Sequence, residues 1–179
     1  MNICHLVLDG LLLTKEKGDQ KLATFLDNQK MSRLYEKFVL EYYRKHCPEL
    51  QPRASQIAWD VDDDIRDFLP KMQTDITLTN GEKTLIIDTK YYGRTMQTIE
   101  LYNSRTLHSN NMYQIYTYVK NKDKDGTGNV SGLLLYAKTD EDIAPNQEYW
   151  LGGNRIGELN RPFGEIAGQL NEIAEGWMA

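Results

Sequence analysis

Between residues 73 and 79 apolar and polar positions alternate. Ile76 and Leu78 fall on one side of an extended chain, and Asp75, Thr77 and Thr79 on the other. The pattern resumes over residues 84–90, where Leu85, Ile86 and Ile87 run together before Asp88, Thr89 and Lys90. Such a run predicts a strand buried on both faces, hence a central one. Asn80-Gly81 between the two segments is a strong hairpin signal. A four-residue loop, Asn80 to Lys83, pairs Thr79 with Thr84 and sets Asp75 opposite Asp88, with Cβ atoms about 5 Å apart. A two-residue loop, Asn80-Gly81, pairs Asp75 with Ile86 and leaves Asp88 diagonal on the same face, about 7–8 Å away. Only an odd-numbered loop or a bulge separates the two acids.

Helical periodicity dominates elsewhere. Met31, Leu34, Tyr35, Phe38 and Tyr42 form an apolar line on a helix capped by Asp27 or Asn28 and running to about His46, before Pro48. His46 is placed to cap its C-terminal end. Ser109 is a good N-cap for a second helix, in which Met112, Ile115 and Val119 face the core while Gln114 and Tyr118 lie four apart on an adjoining stripe. A last helix starts near Pro162, with Phe163, Ile166, Leu170, Ile173 and Trp177 on one face. Residues 56–59 and 130–136 read as strands, 149–151 as a short edge strand, and 122–126 as a turn. Residues 93–107 have no clean period and are expected to form a mobile connection near the hairpin. The expected architecture is α/β: a mixed central β-sheet flanked by helices.

The hairpin also carries chemistry. Two facing carboxylates repel and destabilise the pair unless a cation or a proton lies between them. The economical occupant is a divalent ion, and oxygen ligands suit Mg2+ or Mn2+ with water and substrate phosphate completing the shell. Lys90 lies two residues beyond Asp88 and projects from the same face. An ammonium there can stabilise charge developing on phosphorus, or orient and help deprotonate an attacking water. A Gln amide can fix a water or a phosphate oxygen, and a Tyr hydroxyl can do the same further out. The competing reading makes Asp88 and Lys90 an ordinary solvated strand face, Gln114 a solvated side chain and Tyr118 a packed one. The buried run before Asp88 argues against the first of these. Asp60, Asp62, Asp63 and Asp64 lack the Gly and terminal Glu of a calcium loop and read as solvated.

The arrangement of Asp75, Asp88-Thr89-Lys90 and Gln114-x-x-x-Tyr118 resembles the PD-(D/E)xK nuclease superfamily in its RecB-like branch. The longer strings at residues 71–76, 85–92 and 111–121, with the helix at 31–40, resemble the McrC family, nuclease subunits of McrBC restriction systems that cut DNA carrying modified cytosines. The resemblance runs from about Ile3 onward. It implies a restriction-endonuclease-like fold, a Mg2+-dependent endonuclease, Asp75 and Asp88 as metal ligands and Lys90 as the catalytic lysine. Gln114 and Tyr118 match the auxiliary Q-x-x-x-Y positions. Glu36 matches the place of an additional acidic ligand, or else is an exposed partner for Lys37 or Arg33; it would decide between one ion and two. The implied partners are DNA and an McrB-type AAA+ GTPase, which carries the modification specificity. Family members have a substantial N-terminal region that docks on the GTPase ring. Residues 1–26 look like the remnant of a helical linker to it and 27–179 like the nuclease domain, so the chain is expected to be a fragment, a shortened gene product or an isolated nuclease domain, with docking on McrB in doubt. Two alternatives stand beside this: a RecB-like exonuclease or repair nuclease, and a catalytically silent module that bridges a motor to DNA.

Composition narrows the picture further. The 179 residues suffice for one domain with a real core. No stretch approaches a membrane span and no secretory pattern is visible, since Leu11-Leu12-Leu13 is too short. Cys4 and Cys47 have no framework spacing and read as free thiols of a reducing, cytoplasmic compartment. Histidines 5, 46 and 108 show no ligand spacing. The net charge of −5 is wrong for a general DNA-coating protein. Residues 71–138, however, hold nine Lys/Arg against six Asp/Glu, whereas residues 139–179 hold two against eight. Lys71, Lys83, Arg94 and Arg105 are available for phosphates, and weak, salt-sensitive DNA binding with targeting by a partner is expected.

Overall fold

A computed structural model of the chain describes residues 28–63, 65–91, 96–99, 104–107, 109–137, 146–161 and 166–178. The expected linker at 1–26, Cys4, His5, Asp27, Asp64, Arg94, His108, Pro162 and Phe163 lie outside them.

The alternating and apolar segments form a hairpin, β3 (Ile76–Asn80) with β4 (Lys83–Lys90). Its register pairs Thr79 with Thr84, as the longer loop requires, but Asn80 and Lys83 also pair, so the turn tightens to Gly81-Glu82. Gly81 takes a φ of +58°, the left-handed conformation needed at that corner and one that a Cβ would disfavour. Strand β4 is central, as its apolar run implied. It pairs antiparallel with β3 and parallel with β7 (Val130–Ala137). The sheet continues through β9 (Asn154–Arg161) to the edge strand β8 (Asn146–Leu151), in the order β3-β4-β7-β9-β8. It is therefore a mixed sheet, and flanked by helices it has the expected restriction-endonuclease-like architecture.

Helices cover both faces. On one, α1 (Asn28–His46) and α3 (Ile166–Met178) bury Tyr35, Val39, Leu170 and Ile173 against Ile76, Leu85, Ile87 and Leu133. Two tyrosine hydroxyls of α1 fasten it to α3: Tyr42 donates to the Ala167 carbonyl at 2.9 Å and Tyr43 to the Leu170 carbonyl at 3.1 Å. On the other face α2 (Ser109–Lys122) buries Ile115 and Val119 against Ile86, Leu134 and Ile156. Gly132 makes this approach possible: a Cβ there would lie 2.7 Å from Ile115 Cγ1 and 2.8 Å from Val119 Cγ2.

Beyond α2 the expected turn is tied down by Asp123. Its carboxylate accepts from Thr127 N and Oγ1 at 2.9 and 2.6 Å, from Gly128 N at 2.9 Å and from Asn154 Nδ2 at 2.7 Å. Burial pushes this carboxyl up, but the hydrogen bonds outweigh it and hold it below the usual aspartate range.

Several expectations needed correction. Strand β9 had no sequence-based assignment, because Gly157 and the polar residues around it break its apolar run. Its antiparallel neighbour starts earlier than expected, at Asn146. The expected mobile connection at 93–107 contains two paired strands, β5 (Met96–Ile99) and β6 (Ser104–Leu107), too short for alternation to register. The strand expected at 56–59 is only β1 (Gln56–Ile57), paired with β2 (Met72–Gln73). No described helix is long and apolar enough to cross a membrane.

Candidate active site

The β3–β4 register, extended by one residue, would set Asp75 opposite Asp88. Asp75 instead leaves the ladder in a bend just before β3. Its carboxylate folds over the end of β4, where Oδ2 accepts from Thr89 N and from Thr89 Oγ1, both at 2.7 Å. The middle residue of the Asp-x-Lys triplet thus orients the upstream acid. Alternation alone assigned Thr89 no role.

Asp88 and Lys90 share the face covered by α2, as their spacing requires. Asp88 is only 2% exposed and forms an ion pair with Lys90, Nζ to Oδ2 at 2.6 Å. Lys90 also donates to Gln114 Oε1 at 3.0 Å, and Gln114 Nε2 donates to the Tyr118 hydroxyl at 3.0 Å. The four-residue spacing on α2 is what stacks Gln114 and Tyr118 one turn apart. The geometry brings Asp88, Lys90, Gln114 and Tyr118 into one chain of polar contacts. The solvated reading of Asp88 fails. Gln114 is half-buried, and Tyr118 is both packed and hydrogen-bonded.

Burial pushes the Asp88 carboxyl up to about 6. Lys90 opposes that shift, whereas Asp75 and Glu36 add to it. Glu36, half-buried on α1, is likewise raised, first by burial and then by Asp75, with Arg33 opposing. Three carboxylates therefore feel one another, and one lysine does not neutralise them. Among the described residues, however, no group of three or more His, Cys, Asp or Glu side chains is close enough to hold a metal together. Asp75 acts on both Asp88 and Glu36, and Glu36 acts more weakly than Asp75 on Asp88. A donor set of buried carboxylate oxygens under mutual repulsion fits a hard divalent cation such as Mg2+ or Mn2+, with water and phosphate oxygens completing the shell.

A second polar group on this face had no sequence signal. Asp88 pairs with Leu134, and Leu134 with Glu158 on β9, so the two acids occupy one rung of the sheet. Glu158 is 2% exposed, its Oε2 has no hydrogen-bond partner, and burial pushes its carboxyl up to about 7. Tyr149 donates to its Oε1 at a long 3.4 Å. Nearby on β7 the Tyr136 hydroxyl accepts from Asn111 Nδ2 of α2 at 3.1 Å.

Comparison with known proteins identifies the family. The family model described as "McrBC 5-methylcytosine restriction system component" matches residues 1–137, which include Asp75, Asp88, Lys90, Gln114 and Tyr118. The chain is 32% identical over 165 residues to the "Type IV methyl-directed restriction enzyme EcoKMcrBC" of Escherichia coli (strain K12). That match covers 88% of this chain and 45% of the relative, so the chain spans less than half of the relative's length. By the family-model match, the chain belongs to the family of McrBC 5-methylcytosine restriction system components.

Proposed function

We propose that the chain is the metal-dependent DNA endonuclease part of a modified-cytosine restriction system, hydrolysing phosphodiesters when targeted by an McrB-type AAA+ GTPase. The observation that carries this reading is the Asp88–Lys90–Gln114–Tyr118 chain beside Asp75, a buried carboxylate and ammonium held together at the C-terminal end of β4. Family membership supports the restriction role. The E. coli relative's name describes a methyl-directed restriction enzyme, and cleavage by this chain is inferred from the site.

Asp75 and Asp88 would hold Mg2+ or Mn2+, with Glu36 as the candidate for an additional contact. The ion, when bound, would supply a Lewis acid for the phosphate and lower the pKa of water. Thr89 holds Asp75 in place through two hydrogen bonds. Lys90 presents its ammonium to the phosphate and to the water that attacks it, which stabilises charge developing on phosphorus. Gln114 fixes the Lys90 ammonium from the other side and offers its amide to a phosphate oxygen, while Tyr118 fixes the Gln114 amide. The chain's net charge of −5 favours targeting by a partner over tight binding of DNA by this chain alone.

Supercoiled plasmid with and without methylated cytosine, incubated with the chain, the GTPase and Mg2+ or Mn2+, tests the reading. Cutting that needs the metal and disappears in Asp88→Ala and Lys90→Ala supports it. Metal binding that is identical in wild type and Asp88→Ala, with no cutting, would point to a silent bridging module. Cutting confined to linear ends would point to an exonuclease.

A further inference from the structure

Strand β7 offers α2 a graded support. Gly132, Leu134 and Tyr136 alternate onto the face that α2 covers, and their side chains lengthen toward the end where Asp88 and Lys90 lie. At Gly132, Ile115 and Val119 come down onto the backbone itself. Four residues on, about 13 Å along the strand, the first turn of α2 meets the far end of a tyrosine. There Asn111 Nδ2 donates to the Tyr136 hydroxyl at 3.1 Å.

Both partners are buried, Asn111 at 5% exposure and Tyr136 at 1%, in an interface dominated by aliphatic side chains such as Ile115, Val119, Leu134 and Ile156. A polar pair in such a place costs desolvation that an apolar pair would not. What it adds is direction. A hydrogen bond fixes separation and angle, whereas aliphatic contacts tolerate sliding. Tyr136 is the strand partner of Lys90, one strand spacing of about 5 Å away. Asn111 precedes Gln114 by three residues and lies on the same side of α2. Two links therefore tie the start of α2 to one rung of the sheet: Asn111 to Tyr136 on β7, and Gln114 to Lys90 on β4.

We propose that Asn111 and Tyr136 are positioning residues for the site, their hydrogen bond setting the height and rotation of α2 at which Gln114 meets Lys90. The reaction they serve rests on the function proposed above. The placement of Gln114 is a property of the fold and is measurable without that reaction.

The test joins two readouts on the full chain. One is cutting of plasmid DNA with the GTPase and Mg2+. The other is the nuclear magnetic resonance signal of the Gln114 side-chain amide, identified by its loss in Gln114→Leu. Tyr136→Phe keeps the ring and removes the hydroxyl. It should shift the amide signal and lower kcat about tenfold, with KM for DNA within about twofold of wild type. In the Gln114→Leu background it should lower kcat no further, because the residue through which it acts is gone. Asn111→Leu combined with Tyr136→Phe makes both partners apolar, so the melting temperature should return toward wild type while kcat stays low. An undisturbed amide signal or an unchanged kcat in Tyr136→Phe overturns the proposal. So does a full further loss of kcat in the Gln114→Leu background. Recovery of kcat together with melting temperature in the double variant overturns it as well, by making the pair a stability element alone. If the wild-type chain cuts no DNA while Tyr136→Phe still shifts the amide signal, the nuclease reading falls and the placement of Gln114 by this pair stands.

Discussion

Glu158 offers the sharpest quantitative test of the site's electrostatics. The perturbation is Glu158→Gln, which keeps the shape and removes the charge. In the folded chain burial raises the carboxyl from 4.5 to about 7. A raised acid favours the folded state only while it holds its proton. Below about pH 4.5 the group is protonated in both states and contributes nothing. Above that the unfolded chain ionises first, so stability falls as pH rises and levels off just past pH 7. A shift of this size corresponds to a ceiling of about 3 kcal/mol, at about 1.4 kcal/mol per unit. The long contact with Tyr149 and relaxation of the surroundings around an ionised carboxylate bring the expected figure to about 2 kcal/mol. Glu158→Gln should therefore match wild type near pH 4.5 and exceed it by about 2 kcal/mol at pH 8. Urea unfolding of both proteins across that range, in a metal chelator, measures the difference directly. Taking the difference cancels other titrating acids, Asp88 included. Parallel stability curves would refute the reasoning, because they would mean that the carboxyl is solvated in the folded state.

Four other outcomes follow from the contacts. Gly132→Ala should cost about 1–3 kcal/mol in thermal or urea unfolding, because the new methyl group meets Ile115 and Val119 inside 3 Å; a change within error would show that α2 can recede freely. Asn154→Leu should cost about 2–4 kcal/mol, since it strips Asp123, the Val130 carbonyl and Lys120 of a shared partner, and a melting curve reports it. Thr89→Val keeps the shape but deletes one of the two hydrogen bonds to Asp75; metal-dependent cutting should fall about tenfold with stability lowered by no more than about 1 kcal/mol, and unchanged cutting would count against Thr89 as a positioning residue. Gln114→Leu removes the acceptor at 3.0 Å from Lys90 and should reduce cutting about tenfold or more, while Tyr118→Phe, one step further out, should reduce it less; the reverse order would break the proposed relay.

What could be read from the sequence was local. The hairpin and the shared face of Asp88 and Lys90 follow from alternation and a turn signal, whereas the sequence leaves the register between two loops and the pairing of Thr79 with Thr84 settles it. The Gln114–Tyr118 contact follows from helical spacing alone. Some of what could not be read depends on partners distant in sequence. Asp75 leaves the ladder because Thr89, fourteen residues on, satisfies its carboxylate better than a facing Asp88 would. Strand β9 is missed, although Gly152-Gly153 is a two-residue hairpin signal between it and β8, because Gly157 and the polar residues around it break its apolar run. Glu158 is invisible for the same reason, since an acid on an unrecognised strand has no face.

The two buried acids on one rung also serve as a comparison within one molecule. Asp88 and Glu158 flank Leu134 on the same face, and each is 2% exposed. Asp88 has an ammonium at 2.6 Å and is still pushed up to about 6, whereas Glu158, with only a distant tyrosine hydroxyl, is pushed up to about 7. A lysine in contact would ordinarily pull a carboxyl well below its free value. Here burial, Asp75 and Glu36 together overcome it, so negative charge around Asp88 is held in excess of what the chain itself supplies to balance it. Excess buried charge of this kind destabilises the fold, and such groups cluster at functional sites. Around Glu158 burial is the main cause and no neighbouring acid contributes. That contrast is why cation binding is proposed for the Asp75–Asp88 end of the rung.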